Sequence, residues 1–180
     1  MKTFISFLLV LGLILHSFAQ ATTIVPGKAT HSAKTASRQL FYLQRSKDAN
    51  TVVYEANESA DRKLNPSKPV EVYWIRYAEQ GQREDLSRIQ WQLAYGYTHQ
   101  PIAGESYEVR LNAFPERVLK VQYHQGKVVA MTTISGQRAC LQKVFVQLDP
   151  KARLVPKVKY VEMFGVEPES GRAVYERIIP

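Results

Sequence analysis

YEVRLNAFPERVLKVQYHQGKVVAMTTISGQRACLQKVFVQL, residues 107–148, decides the fold class. Four runs rich in β-branched and apolar residues follow one another: 107–114, 117–123, 127–134 and 139–148. The links between them are Pro115-Glu116, His124-Gln125-Gly126 and Ser135-Gly136-Gln137. Links this short leave no room for a crossover helix, so neighbouring runs pair antiparallel.

Upstream, 40–45 and 51–56 read as a hairpin about the polar turn 46–50. Residues 57–68 form a polar loop. Pro69 to Tyr77 (PVEVYWIRY) is the strongest strand, with apolar groups on both faces, so it belongs inside a sheet covered on both sides. Downstream, 157–164 and 173–178 complete about nine strands. Without alternation of strand and helix the sheet is antiparallel. The expected fold is all-β: an antiparallel meander, barrel-like or a sandwich, with one helix packed on the sheet. That helix is expected over Glu84 to Tyr95, with Leu86, Ile89 and Leu93 as its buried stripe. Glu84 and Asp85 suit its first turn, Glu84 pairs with Arg88, and Gly96 stops it. Trp91 and Tyr95 point away from the stripe and are expected to pack beneath a loop rather than form an exposed patch.

The N-terminus reads as an address. A start carrying Lys2 precedes the nearly unbroken apolar run 4–15, and Ala19 and Ala21 follow at signal-peptidase spacing. The run is too short to span a bilayer comfortably, since a spanning helix takes about 20 apolar residues. The expectation is an exported protein, periplasmic or extracellular, with a signal peptide at 1–21, a flexible leader at 22–39 and a single β-rich domain at 40–180. No later segment is apolar enough to span. The full chain of 180 residues carries a net charge of +8. The expected mature chain carries +7, three of them (Lys28, Lys34 and Arg38) in the leader. Basic residues in the domain are scattered among acids, which excludes a nucleic-acid partner.

Several segments resemble a known family. They are 40–46 (LFYLQRS), 50–57 (NTVVYEAN), 69–77, 93–97 (LAYGY) and 156–165 (PKVKYVEMFG). In this order they are similar to a family of exported bacterial proteins catalogued as a domain of unknown function, number forty-eight thirty-three. The resemblance covers 40–180. It implies an exported, single-domain bacterial protein and transfers no activity, cofactor or site residue.

The chemistry-bearing residues are sparse. His31, His99 and His124 are spread along the expected mature chain, all assigned to the leader, a loop or a hairpin tip. With one cysteine, Cys140, and no paired His or Cys spacing, no metal site or disulfide is expected. Cys140 itself reads as a buried strand residue. No nucleophile elbow, phosphate loop or dinucleotide fingerprint is present, and no catalytic residue or cofactor is assigned. The least ordinary feature is arginine within apolar strands: Arg45, Arg76 and Arg110. Arg76 shares a face with Val72 and Trp74. Turned inward it needs a carboxylate, with Glu55, Glu71 or Glu108 as candidates. Alternatively Arg76, Trp74, Arg45 and Arg110 line a pocket for a small or anionic ligand. The leading function is therefore a non-enzymatic binding module for a small or amphipathic molecule. The alternative is a structural or protein-interaction domain of the cell envelope.

Overall fold

The computed structural model describes residues 38–46, 50–149 and 157–180. The expected signal peptide, and the leader as far as residue 37, lie outside the described residues.

Eleven strands are described: β1 (Gln39–Arg45), β2 (Thr51–Ala56), β3 (Val70–Arg76), β4 (Gln82–Asp85), β5 (Tyr97–Ile102), β6 (Ser106–Leu111), β7 (Phe114–His124), β8 (Lys127–Ile134), β9 (Gln137–Leu148), β10 (Val158–Val166) and β11 (Ala173–Ile178). They form one sheet ordered β4-β3-β2-β1-β9-β8-β7-β6-β5, with β10 and β11 branching from β9. The sheet curls into a half-barrel. The 107–148 meander is present, and two of its links, Gln125-Gly126 and Ser135-Gly136, hold both residues at positive φ. That is the type I′ hairpin turn, whose twist matches its flanking strands.

Pairing is antiparallel throughout except between β1 and β9, which run parallel with Leu43 opposite Val144. β9 is the trunk of the sheet. Its residues 137–140 pair with β8 and 143–146 pair with β1, while β10 follows it from Cys140 to Leu148. Cys140 pairs with both Met131 and Val166, so β8 and β10 lie on opposite edges, and β1 takes over the edge that β8 leaves.

β3 has the two covered faces its composition implies. Val70, Val72 and Trp74 join the main core, with Phe41, Tyr54, Leu119 and Leu141 among others. Tyr73 and Ile75 form a small cluster with Val53 on the opposite face.

The helical segment departs from expectation. Gln82–Asp85 is strand β4, paired to β3, with the Arg83 guanidinium 3.7 Å from the centre of the Tyr73 ring. The helix starts at Ser87 with a capping box: the Ser87 hydroxyl accepts from the Gln90 N–H, and the Gln90 side chain accepts from the Ser87 N–H. One α turn, α1 (Arg88–Gln90), passes into a π turn (Trp91–Tyr95) closed by the Gly96 N–H on the Trp91 carbonyl. Trp91, Ala94 and Tyr95 face the core. Of the expected stripe only Leu86 packs; Ile89 and Leu93 are 68% and 75% exposed. The Glu84–Arg88 pair is replaced by Glu84 with Arg76. Gly96 does end the helix, but with extended backbone rather than a left-handed cap, and because a Cβ there would lie 2.3 Å from the Trp91 carbonyl oxygen.

Side chains tie the two ends of the strand order. The Tyr97 hydroxyl on β5 accepts from the Val70 N–H at 3.0 Å and donates to the Val70 carbonyl at 2.7 Å. His99 meets the Pro66 carbonyl through Nε2, and the Tyr123 hydroxyl shares its one proton between the Glu58 carboxylate and the Arg62 carbonyl. The polar loop after β2 is thus the strap across the open side of the half-barrel.

Candidate functional site

The trunk strand presents a different chemistry on each face. Between Leu141 and Lys143 the β9–β10 register slips by one residue, with Gly165 opposite Leu141 and Phe164 opposite Lys143. This bulge keeps Leu141, Val144 and Val146 on the inner face and turns Lys143 and Phe145 outward. Gly165 permits the close approach: a Cβ there would stand 2.6 Å from the Cys140 carbonyl oxygen.

On the inner face lies a cavity of about 480 Å³. Leu43 lines it from β1, Leu119 from β7, Leu141, Val144 and Val146 from β9, Val161 and Met163 from β10, Ile178 from β11, and Ala94 from the π turn. Polar groups stand only at its rim, where Glu116 and Arg117 are placed. Arg117 is committed: it pairs with Glu176 at 2.9 Å, donates to the Thr133 carbonyl, and lies over the Phe114 ring. Glu176 also accepts from the Ser135 N–H. The volume falls within the range typical of small-molecule sites, which are mostly apolar with a few placed polar groups.

On the outer face a shallower groove of about 1000 Å³ runs over β1, β9 and β10, between the β7–β8 turn and the β10–β11 turn. Cys140 lines it and is half-buried rather than enclosed. Burial still raises the thiol pKa, so the cysteine is a poor nucleophile. The His124 imidazole lies 4.0 Å from Glu169 beside the same groove. Among the described residues no three His, Cys, Asp or Glu converge into a metal-binding group, and no helix is long and apolar enough to cross a membrane.

The four residues expected to form a site do not gather in one place. Arg45 and Trp74 do meet: the guanidinium lies 5.5 Å from the Trp74 ring and 5.6 Å from the Tyr95 ring, which itself meets Trp74 edge-on. Trp74 is 5% exposed, and its Nε1 finds no acceptor among the described residues. Arg45 stands in register with Val146, so this pair adjoins the cavity without lining it. Arg76 sits at the end of β3 and leans outward. Its partners are Glu79 at 2.6 Å and Glu84 at 3.3 Å, not Glu55, Glu71 or Glu108. The 3₁₀ turn after β3 and the hairpin to β4 bring those two carboxylates within reach. Glu55 instead receives the Tyr73 hydroxyl, and Glu71 pairs with Lys68. Arg110 lies on β6, paired with Glu108 at 2.7 Å and bonded to the Pro115 carbonyl.

The cavity residues carry no signal of their own in the sequence, because an apolar strand reads the same whether its face is filled or hollow. The groove had a weak one, the Gln142-Lys143 pair interrupting an apolar strand. No curated protein and no solved structure matches the chain. The model of the family described as a domain of unknown function, DUF4833, matches residues 41–177, and the chain belongs to that family.

Proposed function

We propose that the protein is a non-enzymatic binding module that takes the apolar part of a small amphipathic molecule into its half-barrel. The observation that carries this is the inner cavity, about 480 Å³ and walled by Leu, Val, Met and Ile side chains from six strands. Burying an apolar group there gains about 25 cal/mol per Å² removed from water. The rim favours a neutral head group, since the Arg117 charge is already met by Glu176 and Glu116 adds a negative one. Export, supported by the charged start, the apolar run 4–15 and the small residues at 19 and 21, would place the module in the cell envelope or outside the cell.

The test is uptake of a fluorescent naphthylamine probe and its displacement by long-chain alcohols. Val161→Trp, which fills the cavity from a half-buried position, should abolish uptake while the melting temperature holds. Absence of uptake by the wild type, or uptake unchanged in Val161→Trp, would refute the reading. An interaction domain has one observation in its favour, the exposed Ile89 and Leu93 one helical turn apart. Two side chains fall short of the contiguous patch such a surface needs.

A further inference from the structure

The outer face of the trunk carries a patterned row. Tyr42 of β1 stands opposite Lys143 of β9, Lys143 opposite Phe164 of β10, and Phe164 opposite Tyr175 of β11. Four adjacent strands therefore present ring, cation, ring, ring, over a width of about 14 Å at normal strand spacing. Lys143 Nζ lies 5.8 Å from the Tyr42 ring centre, 5.8 Å from Phe145 and 5.6 Å from Phe164. Phe164 and Tyr175 rings tilt together at 5.2 Å. These rings are half-buried at most, and Tyr175 is 45% exposed. The fold leaves them at the surface, where aromatic side chains need a reason to be clustered.

We propose that this groove is a second binding site, separate from the inner cavity, for an extended saccharide chain bearing carboxylates. Three features select that class. Ring faces are electrically negative, and the polarised C–H groups on the flat side of a sugar ring complement them. Gln39, Gln125 and Gln142 line the same groove, and their amides both donate to and accept from hydroxyls. Lys143 and Lys127 form no salt bridge with a described carboxylate, although Lys143 acts on Glu162 at longer range; Glu167 is matched by Arg172, Glu162 by Arg177, and Glu169 stands beside His124, so the positive charges about the groove outnumber the negative ones by a small margin. The groove is therefore positive but only sparsely so, which suits a chain charged at intervals. A polyphosphate backbone, with one charge per nucleotide, calls for a denser basic track.

The experiment titrates the purified protein with a hexasaccharide of alternating uronic acid and N-acetylhexosamine, read by calorimetry. A neutral N-acetylhexosamine hexasaccharide and an oligothymidylate serve as comparisons. Protection of Cys140 from slow alkylation reports occupancy of the groove independently. The acidic oligosaccharide should bind and protect Cys140. Tyr175→Ala and Phe164→Ala should each weaken it about tenfold or more, the scale of one lost stacking contact. Lys143→Met should do likewise and Lys143→Arg should largely restore it. Val161→Trp, which tests the inner cavity, should leave it unchanged, so the two sites fail or stand separately. Tyr175 is exposed enough that its removal tests the row even if Phe164→Ala melts early. No binding of the acidic chain, equal binding of the neutral one, tighter binding of oligothymidylate, or indifference to Tyr175→Ala and Lys143→Met would each overturn the proposal.

Discussion

Removing one oxygen from Tyr97 should loosen the half-barrel at its seam. The Tyr97 hydroxyl is both acceptor and donor to the backbone of Val70, which is 1% exposed. β4 pairs only with residues 73–76 of β3, so it cannot reach Val70. On the other side the Asn57 N–H already takes the Pro69 carbonyl. Tyr97→Phe therefore strands a buried N–H and a buried C=O together. Each unsatisfied group costs about 1–3 kcal/mol, and the pair about 2–4 kcal/mol where some relaxation is allowed. With a urea dependence of about 1–3 kcal/mol per molar, the midpoint should fall by about 1–2 M. The control is Tyr107→Phe. That ring is also buried, but its hydroxyl has no hydrogen bond among the described residues, so the change should cost under about 0.5 kcal/mol. Equal midpoints for the two variants, or a loss below about 1 kcal/mol for Tyr97→Phe, would show that the tyrosine does not close the sheet.

Trp91→Ala should cost about 3–5 kcal/mol in a denaturant melt, whereas Leu93→Ala should cost under about 0.5 kcal/mol, because Trp91 faces the core and Leu93 faces water. Stability should decline above pH 10: burial holds the Tyr54 phenol well above its ordinary value and pushes Tyr97 up to about 12. The neutral native forms lose their advantage once the unfolded tyrosines ionise, at up to about 1.4 kcal/mol per pH unit for each, and a flat profile from pH 10 to 12 would contradict this. Gly165→Ala should fail to reach the native melting temperature, since its Cβ meets a backbone carbonyl at 2.6 Å and the Ile134 Cδ1 at 2.8 Å. N-terminal sequencing of material recovered outside the cytoplasm should begin at Thr22 or Gln20, and a chain retaining Met1 would remove the case for export.

Much of the sheet was legible because its signals are local. Thr51–Ala56, Lys127–Ile134 and Ala173–Ile178 fall where apolar runs meet turn residues, and their boundaries match. The elements that were missed lack that signal. β4 reads QRED and β5 reads YTHQPI, and both are strands only because a stronger neighbour supplies the pairing. A four-residue charged strand also makes a poor template for another chain, and Pro101 does the same for β5 at the other end. The helix was turned about its axis for a comparable reason. Counting by 3.6 residues put Leu86, Ile89 and Leu93 inward, but the i to i+5 closure at Gly96 widens the last turn and Trp91 and Tyr95 take the core. The candidate site was the least legible part. The cavity is made of residues whose type says only that they are apolar; of the arginines singled out for binding, Arg76 met carboxylates brought near by turns, Arg110 met Glu108 on its own strand, and Arg45 met the Trp74 and Tyr95 rings. The parallel contact between β1 and β9 has no local signal at all.

That contact also orders events as the chain folds. β1 and β2 can close their hairpin at once, for only five residues of sequence separate them. The other side of β1 waits for a segment about a hundred residues later, and until β9 is made its amides and carbonyls are open to any strand that passes. β9 cannot simply be added from the side, because β8 and β10 claim parts of it too. The meander from β6 to β9 is built from near-neighbour contacts and should form as one unit, which then captures the N-terminal hairpin in a late, slow step of high loop-closure cost. A nascent or briefly opened molecule would thus expose the β1 edge first, and self-association should begin there rather than at the charged strand that ends the finished sheet.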